Sequence, residues 1–135
     1  MAERHPELTV TTSLALAQET LQEVIEEEGL IPGQVTQISE MMARTAPALG
    51  KTANIYQTAV LVPFCSVKVG WALVEEDPRQ LTMCPFAIAL YILPNAPEVV
   101  HISYRSPDAT SPARRSAEAL LRKISLTTQQ RLAGH

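Results

Sequence analysis

The segment from Phe86 to Leu93 constrains the fold most, because it is apolar on both faces of a predicted strand. Alternate residues of an extended chain share a face. One face would carry Phe86, Ile88, Leu90 and Ile92, and the other Ala87, Ala89, Tyr91 and Leu93. A strand with one face in water would alternate apolar and polar residues instead. We therefore predict a central strand that is covered on both faces.

Three further segments have the composition of long strands: Leu8 to Thr12, Ile55 to Phe64 and Val99 to Arg105. The last of these follows the central strand through Pro94-Asn95-Ala96-Pro97, which predicts an antiparallel hairpin. Pro63 lies near the end of its strand. A proline there, lacking an N–H group, predicts an edge position or the strand's end.

Helical periodicity and capping residues predict four helices, at about 13–28, 39–49, 66–77 and 112–124. The third carries the apolar residues Val67, Trp71 and Val74. With a short strand at Val35–Ile38, the order becomes β-α-β-(α)-β-α-β-β-α. This order predicts an α+β fold with helices packed on an antiparallel sheet.

Composition predicts one globular domain. The chain has 135 residues, of which 46% are hydrophobic and 19% charged, as in ordinary globular domains of this size. We place the domain at residues 8–124, between an N-terminal arm at 1–7 and a polar C-terminal tail at 125–135.

Charge and hydropathy narrow the class of partner. Eleven basic against 14 acidic residues give a formal net charge of −3 without a basic stripe, which argues against nucleic-acid binding. The N-terminal residues 1–7 contain no apolar core of signal-peptide length, and no run in the chain approaches the ~18 apolar residues that span a membrane. We therefore expect a cytoplasmic protein, without a membrane partner, whose cysteines are thiols, metal ligands or redox groups.

Two cysteines, Cys65 and Cys84, lie where predicted strands meet other elements. Cys65 precedes a helix, whose free N–H groups and positive dipole end favour a thiolate. Antiparallel pairing of the strands 55–64 and 86–93 would bring both cysteines to one edge of the sheet, and parallel pairing would place them at opposite edges. Free cysteine also packs as a small apolar side chain, so a structural role is the alternative.

Several stretches resemble the domain of unknown function 302 family: Leu49-Gly50, Phe64-Cys65, Ala72 to Pro78, Cys84-Pro85 and Val100 to Pro107. The resemblance covers roughly residues 8–110. It implies a TATA-binding-protein-like α+β domain, antiparallel strands around the cysteines, and pairing as a homodimer. It implies no particular reaction.

The chain departs from the family pattern at both cysteines. Ser66-Val67 stands where the family has Asn-Pro, and Met83-Cys84-Pro85 where it has Leu-Pro-Cys. The second change moves a thiol by one residue, which could turn it to the other face of the sheet. The variant resembles a subgroup associated with sulfur-oxidising bacteria, which implies redox or sulfur metabolism.

Four functions fit these residues. Thiolates could bind a haem or a soft metal, and Cys84-Pro85 matches a dipeptide of some thiolate haem sites. Cys65 could instead be the nucleophile of thiol redox or sulfur transfer, with Cys84 as its resolving partner. A cofactor-free ligand-binding or assembly module is the third option. An acid–base enzyme has the least support, because His101 is the only histidine in a predicted strand.

His101, Tyr104 and Arg105 complete the candidate cofactor site with Cys65 and Cys84, and the two cysteines are the candidate metal ligands. His101 could ligate a metal, and Tyr104 with Arg105 could line a pocket that holds an anion. A polar strand face, core packing and surface charge explain the same three residues. We favour a non-enzymatic homodimer that binds a haem, a metal or a sulfur species, with a small ligand or redox protein as partner; the cofactor's identity, and whether the protein is an enzyme, stay open.

Overall fold

The computed structural model describes residues 4–134. Ten helices and strands follow in chain order: β1 Glu7–Thr11, α1 Leu14–Glu27, β2 Ile31–Pro32, β3 Thr36–Gln37, α2 Ile38–Thr45, β4 Thr58–Cys65, α3 Val67–Glu76, β5 Phe86–Ile92, β6 Val99–Tyr104 and α4 Pro112–Ala133. Short 3₁₀ segments lie at Pro47–Leu49 and Pro78–Met83. The predicted α+β order is confirmed, with β2 as an addition.

The strands form one antiparallel sheet in the order β1-β6-β5-β4-β2, and β3 also pairs with β4. β5 lies in the middle, as its apolar faces predict. The β5–β6 hairpin is also confirmed, with Tyr91 opposite His101 and Ile88 opposite Tyr104.

The hydrophobic core lies between one face of the sheet and the helices α1 and α4. Alternate residues of the three central strands point into it, and α1 and α4 contribute one stripe each. Its largest fully buried side chains are Phe64, Leu21, Ile25, Leu73, Ile88, Leu90, Ile102 and Ile124. Burial of apolar area at about 25 cal/mol per Å² is the main stabilising term for such a core.

The opposite face of the sheet is only half-buried, which corrects the prediction that β5 is fully covered on both sides. Ala87, Ala89 and Tyr91 retain partial exposure there. Helix α2 packs over β4 on this side, where the Ser39 hydroxyl accepts a hydrogen bond from the Ala59 N–H at 3.1 Å. The second apolar face of β5 consists partly of alanines, whose small side chains can remain half-exposed. Its apolar sequence therefore does not require a second layer of helices.

Pro63 lies inside the sheet and not at its edge, because β4 pairs with β5 on one side and with β2 and β3 on the other. Its carbonyl accepts a hydrogen bond from the Gly33 N–H at 3.0 Å. A proline is tolerated here because β2 is two residues long and asks little of its neighbour's N–H groups.

The last helix continues to Ala133, through most of the segment 125–135 that its polar composition assigns to a tail. Ser125, Thr128 and Leu132 are buried on the face that packs against the core. The Thr128 hydroxyl donates to the Ile124 carbonyl one turn earlier at 2.8 Å. A hydroxyl satisfied within its own helix can be buried at low cost, which explains Thr128, whereas the Ser125 hydroxyl is buried without a hydrogen-bond partner among residues 4–134. Polar composition therefore does not exclude a buried helix face here.

The N-terminal arm also joins the sheet. The Pro6 carbonyl accepts from the Tyr104 N–H, and the Arg4 carbonyl accepts from the Ser106 N–H at 2.8 Å. β1 begins at Glu7, one residue before the predicted domain boundary. Residues 1–3 and His135 lie outside the described part of the chain.

Gly33 is the position at which we expect the sheet to be most sensitive to an added methyl group. A Cβ at Gly33 would lie 2.9 Å from Pro63 Cγ, and a proline ring has little freedom to move away. We predict that Gly33→Ala lowers the free energy of unfolding by about 1–3 kcal/mol, the usual range for overpacking, as measured by urea denaturation.

Gly70→Ala is the matched control. A Cβ there meets its nearest neighbour, Cys84 Sγ, at 3.7 Å, which is ordinary van der Waals contact. Alanine in a helix interior gains up to about 1 kcal/mol over glycine, so this variant should be at least as stable as the parent. Equal stability of the two variants would contradict the close packing of Gly33 on Pro63.

Candidate functional site

Cys65 and Cys84 lie at the same end of the β4–β5 pair. Cys65 is the last residue of β4, Cys84 comes two residues before β5, and the final strand pair between them is Phe64 with Phe86. Both side chains are half-buried free thiols. The antiparallel alternative of the sequence analysis is therefore the correct one, and it brings the two cysteines to one edge.

Ser66 forms the N-cap of α3, so Cys65 is the residue before the cap. The Ser66 hydroxyl accepts a hydrogen bond from the Val69 N–H at 3.2 Å. The sequence analysis expected the free N–H groups at the start of α3 to stabilise a Cys65 thiolate. One of these N–H groups, that of Val69, instead donates to the Ser66 hydroxyl. Cys65 stays beside the helix's positive end without occupying it.

Cys84 lies under α3, against a glycine. The Cys84 sulfur is within van der Waals reach of a methyl group placed on Gly70, and the side chain packs against the core beside Met83. Burial raises the pKa of the Cys84 thiol, and the negative charge of Cys65 raises it further. The placement of both cysteines at one end of the β4–β5 pair accounts for this effect, because Coulomb repulsion fades with distance and screening.

We call the end of the β4–β5 pair that carries Cys65 and Cys84 the thiol edge. Apolar side chains around the thiol edge are exposed to solvent. Val67 and Trp71 on α3 are 60% and 65% exposed, and Ile31, which pairs with Cys65, is 54% exposed. The helix is held instead by Leu73, its one fully buried residue. Helix α3 therefore exposes apolar side chains to solvent next to the two cysteines.

Tyr104 and His101 lie on opposite faces of β6. Tyr104 is buried on the core side, where its hydroxyl donates to Glu118 at 2.8 Å, and Ser106 donates to the same carboxylate at 3.0 Å. His101 pairs with Tyr91, which lies opposite Ala59. Six residues of strand separate Ala59 from Cys65, which is roughly 20 Å.

Arg105 lies nearer to Cys84. It is exposed and lines a cleft together with Met83 and Pro85, the neighbours of Cys84 in the chain. Five residues were predicted for one cofactor site. The structure places Cys65 and Cys84 at one edge with Arg105 near them, turns Tyr104 into the core where it binds Glu118, and separates His101 from the cysteines.

A second cluster forms on the half-buried face of the sheet around His101. Its ring stacks on Tyr91 with the centroids 4.7 Å apart and the planes 1° from parallel. Tyr91 donates its hydroxyl hydrogen to Glu7, and His101 Nδ1 lies 3.4 Å from the same carboxylate. Tyr56 meets Tyr91 edge-on at 5.3 Å. The sequence gives no sign that Glu7 and Tyr56 belong to this cluster. Glu7 reaches it through the register of β1 with β6, and Tyr56 through the path of the loop that precedes β4.

The stretch Ala72 to Pro78 has a structural role. The Glu76 carboxylate accepts hydrogen bonds from the Ala113 N–H at 3.1 Å and from the Ser111 hydroxyl, which caps α4. Asp77 caps the following 3₁₀ segment by accepting from the Arg79 N–H. Hydrogen bonds from Ser111 and Ala113 hold the pKa of Glu76 below its ordinary value. The motif joins the end of α3 to the start of α4.

Residues 4–134 contain no group of three or more His, Cys, Asp or Glu side chains placed to hold a metal ion. Within the same range, no helix is both long enough and apolar enough to cross a membrane.

The fold and the thiol edge define a small α+β domain with a pair of free cysteines at one end of an antiparallel sheet. The chain belongs to the family described as domain of unknown function DUF302, whose family model matches residues 7–134. The resemblance drawn from the sequence is thereby confirmed.

A solved structure shares this fold: the uncharacterized conserved protein DUF302 from Bacillus stearothermophilus. It is 17% identical, with a TM-score of 0.73, and the match covers 97% of this chain and 99% of that one. At this identity the similarity establishes the fold alone. Comparison with curated proteins gives no match.

Alkylation kinetics test the proximity of the two thiols. Burial and repulsion by Cys65 both raise the pKa of Cys84, so its reaction with iodoacetamide should reach half its maximum rate at a pH above ~8.5, the midpoint of an ordinary thiol. In Cys65→Ser the midpoint should fall, while staying above the ordinary value because burial persists. Peptide mass spectrometry resolves the two sites. A Cys84 midpoint unchanged in Cys65→Ser would show that the thiols do not sense each other.

Titration of Tyr91 tests the second cluster. Burial, followed by the hydrogen bond to Glu7, raises the pKa of Tyr91 to about 12. A raised pKa means that the neutral phenol is favoured in the fold, so its contribution to stability is present below pH ~10 and is lost as the pH rises towards 12. We predict that Tyr91→Phe flattens the pH dependence of unfolding in this window, whereas Tyr56→Phe does not. A Tyr91 phenolate appearing near pH 10 by absorbance would contradict the cluster.

Proposed function

We propose that this protein binds a soft metal ion, Cu(I), between the thiolates of Cys65 and Cys84. One observation carries the proposal: the antiparallel β4–β5 pair places two half-buried, free thiols at one edge, where the charge of Cys65 acts on Cys84. Two thiolates that repel each other gain from a cation bound between them, because its positive charge attracts both sulfurs and offsets part of their repulsion.

The ligand set favours a soft ion over a hard or tetrahedral one. Thiolates suit Cu(I), zinc and iron–sulfur clusters, but structural zinc sites and iron–sulfur clusters use four protein ligands, so two thiolates within one chain favour Cu(I). Residues 4–134 offer no third His, Cys, Asp or Glu to complete a larger set. A dimer that joined two thiol edges would supply four thiolates.

Haem is the weaker candidate on grounds of space. The cleft beside Cys84 has a volume of about 330 Å³, at the small end of ligand pockets, which run from ~300 to 1,000 Å³. A metal ion or a sulfur atom between the two sulfurs requires no such pocket.

We place this activity in a cytoplasmic homodimer that serves redox or sulfur metabolism. The cytoplasm keeps thiols reduced, as the site requires. Membership of the family, together with the resemblance implying paired domains, supports the dimer, and the exposed apolar side chains around the thiol edge offer a surface for a protein partner.

A thiol redox or sulfur-transfer catalyst is the second candidate. It is supported by the pairing of the two thiols and by the exposure of Val67 and Trp71 next to them, because a redox protein must dock where the sulfurs react. Cys65 would be the attacking thiolate and Cys84 the resolving thiol.

Copper binding distinguishes the candidates. We expect the reduced protein to take one Cu(I) per chain in competition with a chromogenic Cu(I) chelator, and Cys65→Ser and Cys84→Ser each to lose this binding. Because the metal displaces the proton of a thiol whose pKa is raised, affinity should rise about tenfold per pH unit for each proton released.

Met41→Leu is the matched control. It removes an exposed thioether on α2, a soft ligand type remote from the site, and should leave Cu(I) affinity unchanged. Stoichiometric copper binding that survives either serine substitution would refute the two-thiolate site. Failure to bind Cu(I), together with reversible formation of a Cys65–Cys84 disulfide, would favour the redox candidate instead.

A further inference from the structure

A cleft beside the thiol edge has the features of a separate ligand site. It has a volume of about 330 Å³ and opens between the 3₁₀ segment Pro78–Met83, the start of β5 and the loop after β6. Its charged lining residues are Arg105, Arg114 and Asp108. Two guanidinium groups against one carboxylate leave the lining with a net positive charge.

Arg114 is held rigidly at this cleft by buried partners. Its Nε donates to Gln80 Oε1 and its Nη1 donates to the Pro107 carbonyl, both at 2.7 Å. Gln80 is itself buried, with its amide nitrogen donating to the Leu73 carbonyl at 2.6 Å. The guanidinium orientation is therefore fixed before any ligand arrives, which lowers the entropy cost of binding.

One edge of that fixed guanidinium remains available. Within residues 4–134, Nη2 of Arg114 makes no hydrogen bond or ion pair, and it is not among the buried polar atoms that lack a partner. It therefore reaches the surface. Guanidinium N–H groups match the oxygen pairs of carboxylates and phosphates.

Arg105 supplies the second cation. It is exposed, and no acidic side chain of the described chain lies within ion-pair distance of it; Asp108 pairs with neither arginine. In contrast, Arg131 pairs with Glu27 of α1, and Lys123 pairs with Glu28, the residue that caps this helix. The charge of Arg114 acts on the nearby carboxylates of Glu76 and Asp77, but neither cleft arginine forms a direct ion pair in the described chain. Two guanidinium groups without a bound carboxylate on one cleft favour an anionic ligand.

The cleft also has an apolar part. Met83, Pro85 and Leu121 line it together with the charged groups. A cavity with apolar walls and a few convergent polar groups is the usual form of a small-molecule site.

We infer that this cleft binds a small organic acid, with its acidic head between Arg105 and Arg114 and its apolar body against Met83 and Pro85. The assignment is independent of the proposed metal site, because neither sulfur lines the cleft. The ligand would contact Met83 and Pro85, the residues on either side of Cys84, and its recognition would not require the Cys84 thiol.

Titration with three probes, followed by amide NMR shifts, tests the assignment on the full chain. Phenylphosphate carries head and body, inorganic phosphate the head alone, and benzyl alcohol the body alone. We expect saturable binding of phenylphosphate, weaker binding of inorganic phosphate, and no saturation by benzyl alcohol. Arg105→Gln should weaken phenylphosphate about tenfold, as expected for a lost charge-assisted hydrogen bond.

Arg115→Gln is the matched control, since Arg115 is an exposed neighbour on α4 outside the cleft and should keep the parent affinity. Cys84→Ser should also keep it, which separates this site from the thiol proposal. Equal weakening in Arg105→Gln and Arg115→Gln would reduce the effect to general charge attraction and overturn the site. Absence of saturable phenylphosphate binding, or equal affinity for inorganic phosphate, would overturn the head-and-body assignment.

Discussion

The antiparallel pairing of β4 with β5 is the constraint on which the rest of the structure depends. Seven residue pairs, from Thr58 with Ile92 to Phe64 with Phe86, align the two longest buried strands. Because the side-chain period is two, a slip of one residue would exchange core and surface faces. The same alignment brings Cys65 and Cys84 to one edge and leaves α3 to bridge them, so core register and thiol geometry have a single cause.

Much of this fold follows from local sequence signals. Apolar alternation identifies β4, β5 and β6, and the serines at 13, 66 and 111 each cap the helix that follows. The signals fail where structure depends on partners distant in the chain. β2 has only two residues, too few to show the alternation of a strand. The buried face near the end of α4 includes Ser125 and Thr128, whose polarity hides its burial in the sequence.

The candidate site divides along the same line. The positions of Cys65 and Cys84 follow from strand boundaries, and their meeting requires only the antiparallel choice. The grouping of His101 with the thiols was an expectation that the strand lengths exclude, since it lies roughly 20 Å along the sheet. Arg114 gave no sequence signal at all: it reads as one charge on a solvated helix face, and only its hydrogen bonds to Gln80 and Pro107 distinguish it.

Trp71 gives the molecule a built-in reporter. It is the sole tryptophan of the chain, it is 65% exposed, and it lies on the helix that covers Cys84. Fluorescence excited selectively through indole therefore comes from Trp71 alone, at the emission wavelength of a solvent-exposed indole. Anything that settles over α3 and excludes solvent there would move that emission to shorter wavelength, with no dye attached.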